Sequence, residues 1–317
     1  MYVACIKVEP NGKTGEDMSG INQVMGRKEW VLLVFLSIIW GASFFFVEVA
    51  VKQMTPFTIV FCRVGLAAVI LSGVALATGR RLSECKGIWL PLLLIGALNN
   101  AIPFSLIAWG QKHIDSSLAS ILTATTPVFS VVLAHFLTRD EQLTQKRLIG
   151  VLSGFLGVVV LVGMDSLEGI GIKSAGQIAV LGAAICYTFA AIYGRRFKDM
   201  DPVVVSAGML TGATLIMLPV AFVFENPFFL QQDWTTWSAL FGLSALSTAL
   251  AYIIYFYILG TSGATNILLV TFLIPVSTII LGMAVLGERP GWNVFAGMFM
   301  IFLGLFFIDG RLFHRKK

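Results

Sequence analysis

Ten long runs of apolar residues follow one another along the chain, separated by short polar segments. Lipid offers no hydrogen-bond partner to a backbone amide, so a segment inside a bilayer must be helical or belong to a closed barrel. About 20 apolar residues make one helical crossing. The pattern therefore predicts an all-α polytopic membrane protein with ten transmembrane helices. They fall at Trp30–Val51, Pro56–Ala77, Ile88–Trp109, Ser117–Leu137, Leu148–Met164, Gln177–Gly194, Val203–Phe224, Trp234–Leu259, Ala264–Leu286 and Gly291–Ile308.

The overall composition agrees with a chain that is dissolved in lipid. It is 57% hydrophobic and 12% charged, with a mean hydropathy of +0.87, whereas about a quarter of the residues of a soluble domain are charged. The net charge of +5 could suggest nucleic-acid binding, but that function needs basic residues clustered on a folded surface. Here they lie in short segments between apolar runs. We expect the lipid bilayer, and no nucleic acid, as a partner.

Lysine and arginine are distributed unequally between the two sides that ten helices define. If both termini are cytoplasmic, the cytoplasmic segments hold 17 of the 22 Lys and Arg residues. The outer segments hold four, which are Lys52, Lys112, Lys173 and Arg289. Positive charge accumulates on the cytoplasmic side of membrane proteins. We therefore expect both termini in the cytoplasm and the protein in the bacterial cytoplasmic membrane.

An internal duplication joins the two halves of the chain. The residues Thr123, Pro127, Ser130, Glu141, Gly150 and Gly157 recur in the same order as Thr271, Pro275, Thr278, Glu288, Gly297 and Gly304. Such repeats are typical of secondary transporters. Five helices per half is an odd number, so the second half enters the membrane from the opposite side. We predict two inverted five-helix repeats at 30–164 and 176–309, an outer linker at 165–175, a disordered cytoplasmic tail at 1–29 and a basic cytoplasmic tail at 310–317.

Ionisable residues are rare within the apolar runs and comprise Glu48, Arg63 and His135. A charge inside lipid costs roughly 3 kcal/mol or more, so each should face protein or water. Glu48 and Arg63 flank the first short hairpin, and their depths differ by about 7 Å at the rise of an α-helix. They could form a charged gate or a proton-coupling pair on the outer half, with Glu48 carrying the ion coupling. Alternatively, they form a purely structural ion pair, or Glu48 only contacts interfacial water. We interpret His135 as an interfacial residue.

Polar and aromatic residues within the apolar runs are candidates for a substrate pathway. Small polar residues recur at helical spacing in the fourth run, and the ninth run repeats them. The alternative for these residues is close helix packing, which small residues permit. The other candidates are aromatic and amide side chains. The complete set is Trp40, Ser43, Glu48, Arg63, Asn99, Asn100, Trp109, Thr123, Thr126, Pro127, Tyr187, Tyr252, Tyr255, Thr271 and Pro275.

Glycines of two apolar runs and the four cysteines of the chain are interpreted as structural. Gly150, Gly154 and Gly157 in the fifth run, echoed by Gly297 and Gly304 in the tenth, predict helix-packing faces. The four cysteines, Cys5, Cys62, Cys85 and Cys186, lack metal-ligand spacing and are expected to be free thiols. We expect no metal, no cofactor and no catalytic residue.

Several of these residues resemble signatures of the EamA branch of the drug/metabolite transporter superfamily. They are the run Trp40-Gly41-Ala42-Ser43-Phe44-Phe45, Arg63, the series Ala119, Thr123, Pro127, Ala134, Glu141, Gly150 and Gly157, and the second copy from Pro275 through Gly287-Glu288 to Gly304. The resemblance implies a central cavity within helices one to four and six to nine, with the fifth and tenth outside. Arg63 has no basic counterpart in the seventh run, and Arg195 corresponds to Glu48, so a charge-based mechanism would belong to one half.

Members of that family move small metabolites, often amino acids and often outward, so the resemblance implies an exporter of a small polar metabolite. Transport of drugs or nucleotide precursors, or import, remains open. The chain has no Walker-type phosphate loop, so an ion gradient or the substrate gradient would supply the energy. A membrane enzyme would need clustered carboxylates, histidines or a metal site, and a channel would need rings of like residues around a pore. Neither pattern is found. The oligomeric state is left open.

Overall fold

The computed structural model describes residues 26–80, 87–137, 145–162, 172–197, 200–225, 232–262 and 270–309, and within these the secondary structure is helical. The predicted all-α class is therefore confirmed for the described part of the chain. The α-helices are α1 Arg27–Ala50, α2 Pro56–Ala77, α3 Trp89–Gly96, α4 Ile102–Gly110, α5 Ser116–Thr123, α6 Thr126–Leu137, α7 Gln145–Val162, α8 Ile172–Gly194, α9 Pro202–Phe224, α10 Trp234–Phe241, α11 Ala251–Ser262, α12 Val270–Leu281 and α13 Trp292–Asp309.

Six helical stretches of the described residues are long and apolar enough to cross a membrane. They are Arg27–Ala50, Pro56–Ala77, Trp89–Gly110, Ile172–Gly194, Pro202–Phe224 and Trp234–Tyr255. The remaining apolar helices are shorter, at Leu148–Gly157, Leu273–Leu286 and Trp292–Gly304. The chain is thus a multi-pass membrane protein, and its fifth, ninth and tenth predicted helices fall on the shorter segments.

Two of the long helices contain π-helical stretches. Ala97–Ala101 joins α3 to α4, and Gly242–Leu250 joins α10 to α11. A further π-helical stretch, Gly282–Leu286, follows α12. The wider turn of a π-helix rotates the residues beyond it relative to an α-helix, and such segments are frequent at functional sites. The first two stretches carry buried polar side chains, among them Asn100 in the first and Thr248 in the second.

The fourth apolar run is broken rather than kinked. We expected one helix over Ser117–Leu137 with a proline kink, but α5 ends at Thr123 and α6 begins at Thr126. Pro127 therefore lies in the first turn of α6, where its missing amide hydrogen costs no helical hydrogen bond. The corresponding Pro275 lies inside α12 and is buried, so the two repeats differ in structure at this point.

Helices from the first half of the chain pack closely on helices from the second half. The helix α2 lies along α9, α1 along α12, and α7 along α13. The α7–α13 contact requires glycine, because a Cβ atom at Gly304 would lie 2.5 Å from the Gly150 carbonyl oxygen. The predicted packing role of the glycines in the fifth and tenth runs is confirmed at this position. The large apolar side chains Leu152, Phe155 and Leu156 of α7 are exposed, as expected of a lipid-facing surface.

Candidate functional site

A buried arginine lies at the contact between the two halves of the bundle. Arg63 of α2 is only 7% exposed, and its Nε donates a hydrogen bond to Thr248 Oγ1 at 2.9 Å. Its guanidinium carbon lies 3.6 Å from the centre of the Phe104 ring, which is cation–π geometry. A buried charge needs such partners, and Arg63 finds one of them in each half of the chain.

Two asparagines and a tyrosine form a second polar group in the same core. Asn99 Nδ2 donates to the Tyr252 hydroxyl at 2.9 Å, and that hydroxyl donates to Asn100 Oδ1 at 3.0 Å. Asn100 is fully buried, and its Nδ2 has no hydrogen-bond partner within the described part of the chain. A buried amide left unsatisfied is uncommon, and a bound polar molecule is one way to satisfy it.

The two polar groups are parts of one cluster. Tyr187 and Tyr252 both pack against the hydrophobic cluster that contains Phe104, the residue whose ring lies against the Arg63 guanidinium. We call Arg63, Asn99, Asn100, Tyr187, Thr248 and Tyr252 the central cluster. The π-helical segments position much of it, since Asn99 and Asn100 lie in the first and Thr248 in the second. The structure thus brings together five of the residues that the sequence nominated and adds Thr248.

Glu48 does not pair with Arg63, so the two alternatives that placed both residues in one pair are wrong. The side chain of Glu48 lies 3.5 Å from Gln111 Nε2, which also donates to the Phe44 carbonyl oxygen at 2.8 Å. Their similar depth along the two helices is compatible with an ion pair. Arg63, however, lies on a face of α2 that is directed toward Thr248 and not toward Glu48. Gln111 is 3% exposed, and its Oε1 has no hydrogen-bond partner among the described residues. Glu48 therefore belongs to a separate polar group near the C-terminal ends of α1 and α4.

The remaining aromatic candidates lie apart from the central cluster. Trp40 packs against Tyr255 with ring centres 5.7 Å apart, which joins α1 to α11. Trp109 is 37% exposed and contacts the edge of His113, with ring centres 4.8 Å apart. Ser43 donates its hydroxyl hydrogen to the Trp40 carbonyl oxygen within its own helix. These contacts are structural, and the part of these residues in a substrate pathway stays a prediction.

The small polar faces of the fourth and ninth runs contact neighbouring helices. The hydroxyls of Thr123 and Thr126 each donate to a backbone carbonyl about one turn earlier. The Thr126 carbonyl accepts a bond from Thr188 of α8 at 3.3 Å, and Thr278 donates to the Gly41 carbonyl of α1 at 3.3 Å. These contacts agree with the packing interpretation. The side chains of Thr271 and His135 lie outside the described residues, as does Glu141.

Carboxylates of the second half cap helices of the first half. Glu288 accepts hydrogen bonds from the backbone amides of Ser116 and Ser117, at 3.0 and 3.2 Å, and from both serine hydroxyls. Glu225 accepts from the Thr58 amide at 2.7 Å and from its hydroxyl at 3.0 Å. The first turn of a helix has unpaired amides and a positive dipole end that favour a carboxylate. The halves are therefore tied together at the ends of α5 and α2.

A loop contact adds to these ties. Gln53 Nε2, in the loop between α1 and α2, donates to Asp233 Oδ2 at 2.8 Å. The backbone amide of Thr236, which Asp233 caps at the start of α10, holds the pKa of that carboxyl below its usual range. Asp233 is therefore ionised at neutral pH and acts as an acceptor for both groups.

A cavity of about 250 Å³ opens at the opposite end of α2 and α9. Arg80 Nε and Asp201 Oδ2 form an ion pair across it at 2.8 Å. Ser206 and Tyr252 contribute to its wall, so the cavity reaches the central cluster. Arg80 and Asp201 lie on the side that the lysine and arginine distribution assigns to the cytoplasm.

The sequence analysis missed Phe104, Thr248, Asp201 and Ser206. A short polar sequence inside an otherwise apolar run, Ser244 to Thr248, was a usable signal for Thr248. The order Asp201-Pro202 is typical of a helix start, but it did not indicate that the same carboxylate pairs with Arg80. A role for Phe104 or Ser206 was not indicated by the sequence, because no neighbouring motif distinguishes them from the other residues of apolar helices.

Comparisons with known proteins agree on one class of protein. A model of the EamA-like transporter family matches residues 28–163 and again 174–309. The uncharacterized transporter YoaV of Bacillus subtilis is 24% identical over 290 residues, which are 90% of this chain and 97% of YoaV. A probable amino-acid metabolite efflux pump of Salmonella typhimurium is 25% identical over 295 residues, 89% and 95% of the two chains.

A solved crystal structure has the same fold. Its TM-score is 0.63 at 19% identity, and the match covers 90% of this chain and 98% of that one. At this identity the similarity concerns the fold alone.

Proposed function

Because the chain belongs to the EamA-like transporter family, we propose that it is a secondary active transporter that exports a small polar metabolite, an amino acid or a related compound. It lies in the cytoplasmic membrane with ten transmembrane helices and both termini in the cytoplasm. Its two inverted five-helix halves expose a shared site to one side and then to the other, as in other transporters with this plan.

The central cluster is the observation that carries this proposal. Arg63, Asn99 and Asn100 come from the first half, and Thr248 and Tyr252 come from the second, with hydrogen bonds between them of 2.9 to 3.0 Å. Substrate sites of inverted-repeat transporters lie at the interface of the repeats. A cluster with one cation and several neutral donors and acceptors suits a zwitterion or a neutral amphiphile better than a multivalent anion.

An untargeted comparison of metabolites tests the proposal. Cells that overproduce the protein should enrich one class of small polar compound in the medium, relative to cells with an empty vector. Arg63→Gln should abolish the enrichment, because it removes the charge at the centre of the cluster. Arg27→Gln, at an exposed arginine in the first turn of α1, is the matched control and should export normally.

The possible outcomes separate the alternatives. Depletion of a compound from the medium would indicate import, and resistance to toxic compounds without metabolite enrichment would indicate drug export. A new product made inside the cell without flux would indicate a membrane enzyme, and flux that does not saturate would indicate a channel. No difference between wild type and Arg63→Gln at equal membrane abundance would contradict a transport role for the central cluster.

A further inference from the structure

The cavity beside α2, α9 and α11 is lined in two distinct ways. Its walls are aliphatic or aromatic, with Leu71, Ile253 and Tyr252 among them. Its mouth carries both charges of the Arg80–Asp201 ion pair. A cavity with apolar walls and a few placed polar groups is the usual form of a small-molecule site.

One serine of the cavity wall has a buried hydroxyl without a hydrogen-bond partner among the described residues. Ser206 of α9 is 1% exposed, and its Oγ makes no hydrogen bond within the described part of the chain. Serine inside a helix usually bonds to a carbonyl one turn earlier, as Thr211 and Thr214 of the same helix do. Buried hydroxyls are nearly always paired, and a polar atom of a guest in the cavity that Ser206 lines is one way to pair its Oγ.

The ion pair at the mouth keeps unused hydrogen-bonding capacity. Asp201 Oδ1 accepts from the Val203 and Val204 amides, and Oδ2 pairs with Arg80 Nε. A carboxylate can accept about four hydrogen bonds, and a guanidinium has five N–H donors. The side chains of Arg80 and Asp201 are 42% and 33% exposed. An adjacent carboxylate and guanidinium that are open to solvent complement a ligand with an ammonium group beside a carboxylate.

We propose that this cavity is a cytoplasmic loading site for a zwitterionic amino acid with an uncharged side chain. The ligand ammonium binds Asp201, the ligand carboxylate binds Arg80, and a polar side-chain atom bonds to Ser206. The remaining apolar part of the side chain packs on Leu71 and Ile253. Tyr252 lines the cavity and also belongs to the central cluster, so it connects the loaded ligand with Asn99 and Asn100. As a loading site, it rests on the proposed transport function.

Binding to the purified protein in detergent tests the site without any transport measurement. The probes are L-glutamine and L-leucine, together with N-acetyl-L-glutamine, which lacks the ammonium, and L-glutamine amide, which lacks the carboxylate. Isothermal calorimetry should show that glutamine binds more tightly than leucine. Each derivative should bind about tenfold more weakly, since each loses a charge-assisted hydrogen bond.

Three variants locate the site. Asp201→Asn removes the charge but keeps a good helix cap, and it should weaken glutamine binding about tenfold. Ser206→Ala leaves the cavity open and should remove the preference for glutamine over leucine, whereas Ser206→Leu fills the cavity and should abolish binding of both. The thermal stability of each variant without ligand shows that it folds.

The outcomes are decisive in either direction. Equal binding of glutamine and both derivatives, or unchanged binding in Asp201→Asn and Ser206→Leu, overturns the site. A zwitterionic lipid headgroup has the same chemistry. If phosphatidylethanolamine nanodiscs stabilise wild type more than Asp201→Asn while amino acids do not bind, the amino-acid ligand is wrong. Export by Asp201→Asn with the same half-saturating substrate concentration as wild type would refute the loading site and leave the proposed transport function intact.

Discussion

At the scale of single residues, the two buried ionisable side chains have different surroundings. Arg63 is held by Thr248 and by the Phe104 ring in the interior of the bundle. Glu48 is partly buried beside Gln111, whose side-chain oxygen is unpaired in the described part of the chain. A carboxylate with few cationic partners at a membrane helix end is a group that can exchange a proton. We therefore keep Glu48 as the ion-coupling candidate, independent of Arg63.

Replacement of Glu48 by glutamine should uncouple transport from the proton gradient. Glutamine keeps the size and the bond to Gln111 but cannot release a proton, so the dependence of export on external pH should disappear and the rate should fall at least tenfold. The measurement is substrate flux from preloaded vesicles between pH 5.5 and 8.0. Glu29→Gln, on the first turn of the same helix, should behave as wild type. Full, pH-dependent flux in Glu48→Gln would refute the coupling role.

At the scale of helices, the carboxylate of Glu288 links the segment before α13 in the second repeat to the start of α5 in the first. It receives four hydrogen bonds from Ser116 and Ser117, which satisfy amides that the helix itself cannot pair. The short α5, which ends at Thr123, lacks the length that makes a helix stable alone. Its start therefore depends on a residue of the other repeat.

Glu288→Ala should destabilise the protein. The loss of charged hydrogen bonds to a helix start costs about 2 kcal/mol, and the melting temperature in detergent should fall accordingly. Glu29→Ala is the control, because Glu29 makes no equivalent contact with another helix among the described residues. An unchanged melting temperature for Glu288→Ala would contradict the capping role.

The contact between α7 and α13 should tolerate no side chain at Gly304. Its Cβ would lie 2.5 Å from the Gly150 carbonyl oxygen and 2.7 Å from the Gly154 nitrogen. Gly304→Ala should therefore cost about 1–3 kcal/mol by overpacking. Gly73→Ala in α2 has open space around the new methyl group and should be neutral or stabilising by about 0.5–1 kcal/mol. Thermal unfolding of the two variants should show opposite signs, and equal effects would count against close packing.

At the scale of the whole molecule, contacts between the halves lie at both ends of the bundle. One end has the Glu225–Thr58, Glu288–Ser116 and Gln53–Asp233 contacts. The other has the exposed Arg80–Asp201 pair and the cavity. Exposed ion pairs contribute about 0–1 kcal/mol, whereas the carboxylate caps are partly buried and stronger. Among the described residues, the contacts at the first end are therefore the stronger of the two sets.

Membrane topology can be tested with single cysteines in a background that lacks the four native ones. With both termini in the cytoplasm, a cysteine at the exposed Lys112 should react with an impermeant maleimide added to intact cells. A cysteine at the exposed Arg196 should react only after the membrane is permeabilised. The same result for both positions would contradict the ten-helix, inverted-repeat topology.

The amino-acid sequence was sufficient for the features that depend on local composition. Runs of apolar residues require helices in lipid, and the chain indeed forms helices at Arg27–Ala50, Pro56–Ala77 and the other described segments. The repeated prolines, glutamates and glycines indicated the duplicated transporter, and the family comparison agrees. The sequence also nominated Arg63, Asn99, Asn100 and Tyr252, since polar side chains in lipid are costly and stand out.

Only the tertiary structure decided which of these residues meet. Depth in the membrane follows from residue number, but each residue also turns the helix face by about 100°, and a π-helical stretch shifts the faces beyond it. For this reason Glu48 and Arg63 lie at depths that would allow an ion pair and yet have different partners. The same holds for Thr248, for the Glu288 cap on α5, and for the cavity between Arg80, Asp201 and Ser206. Each joins helices that are distant in sequence, and their relative rotation is determined by packing across the whole bundle.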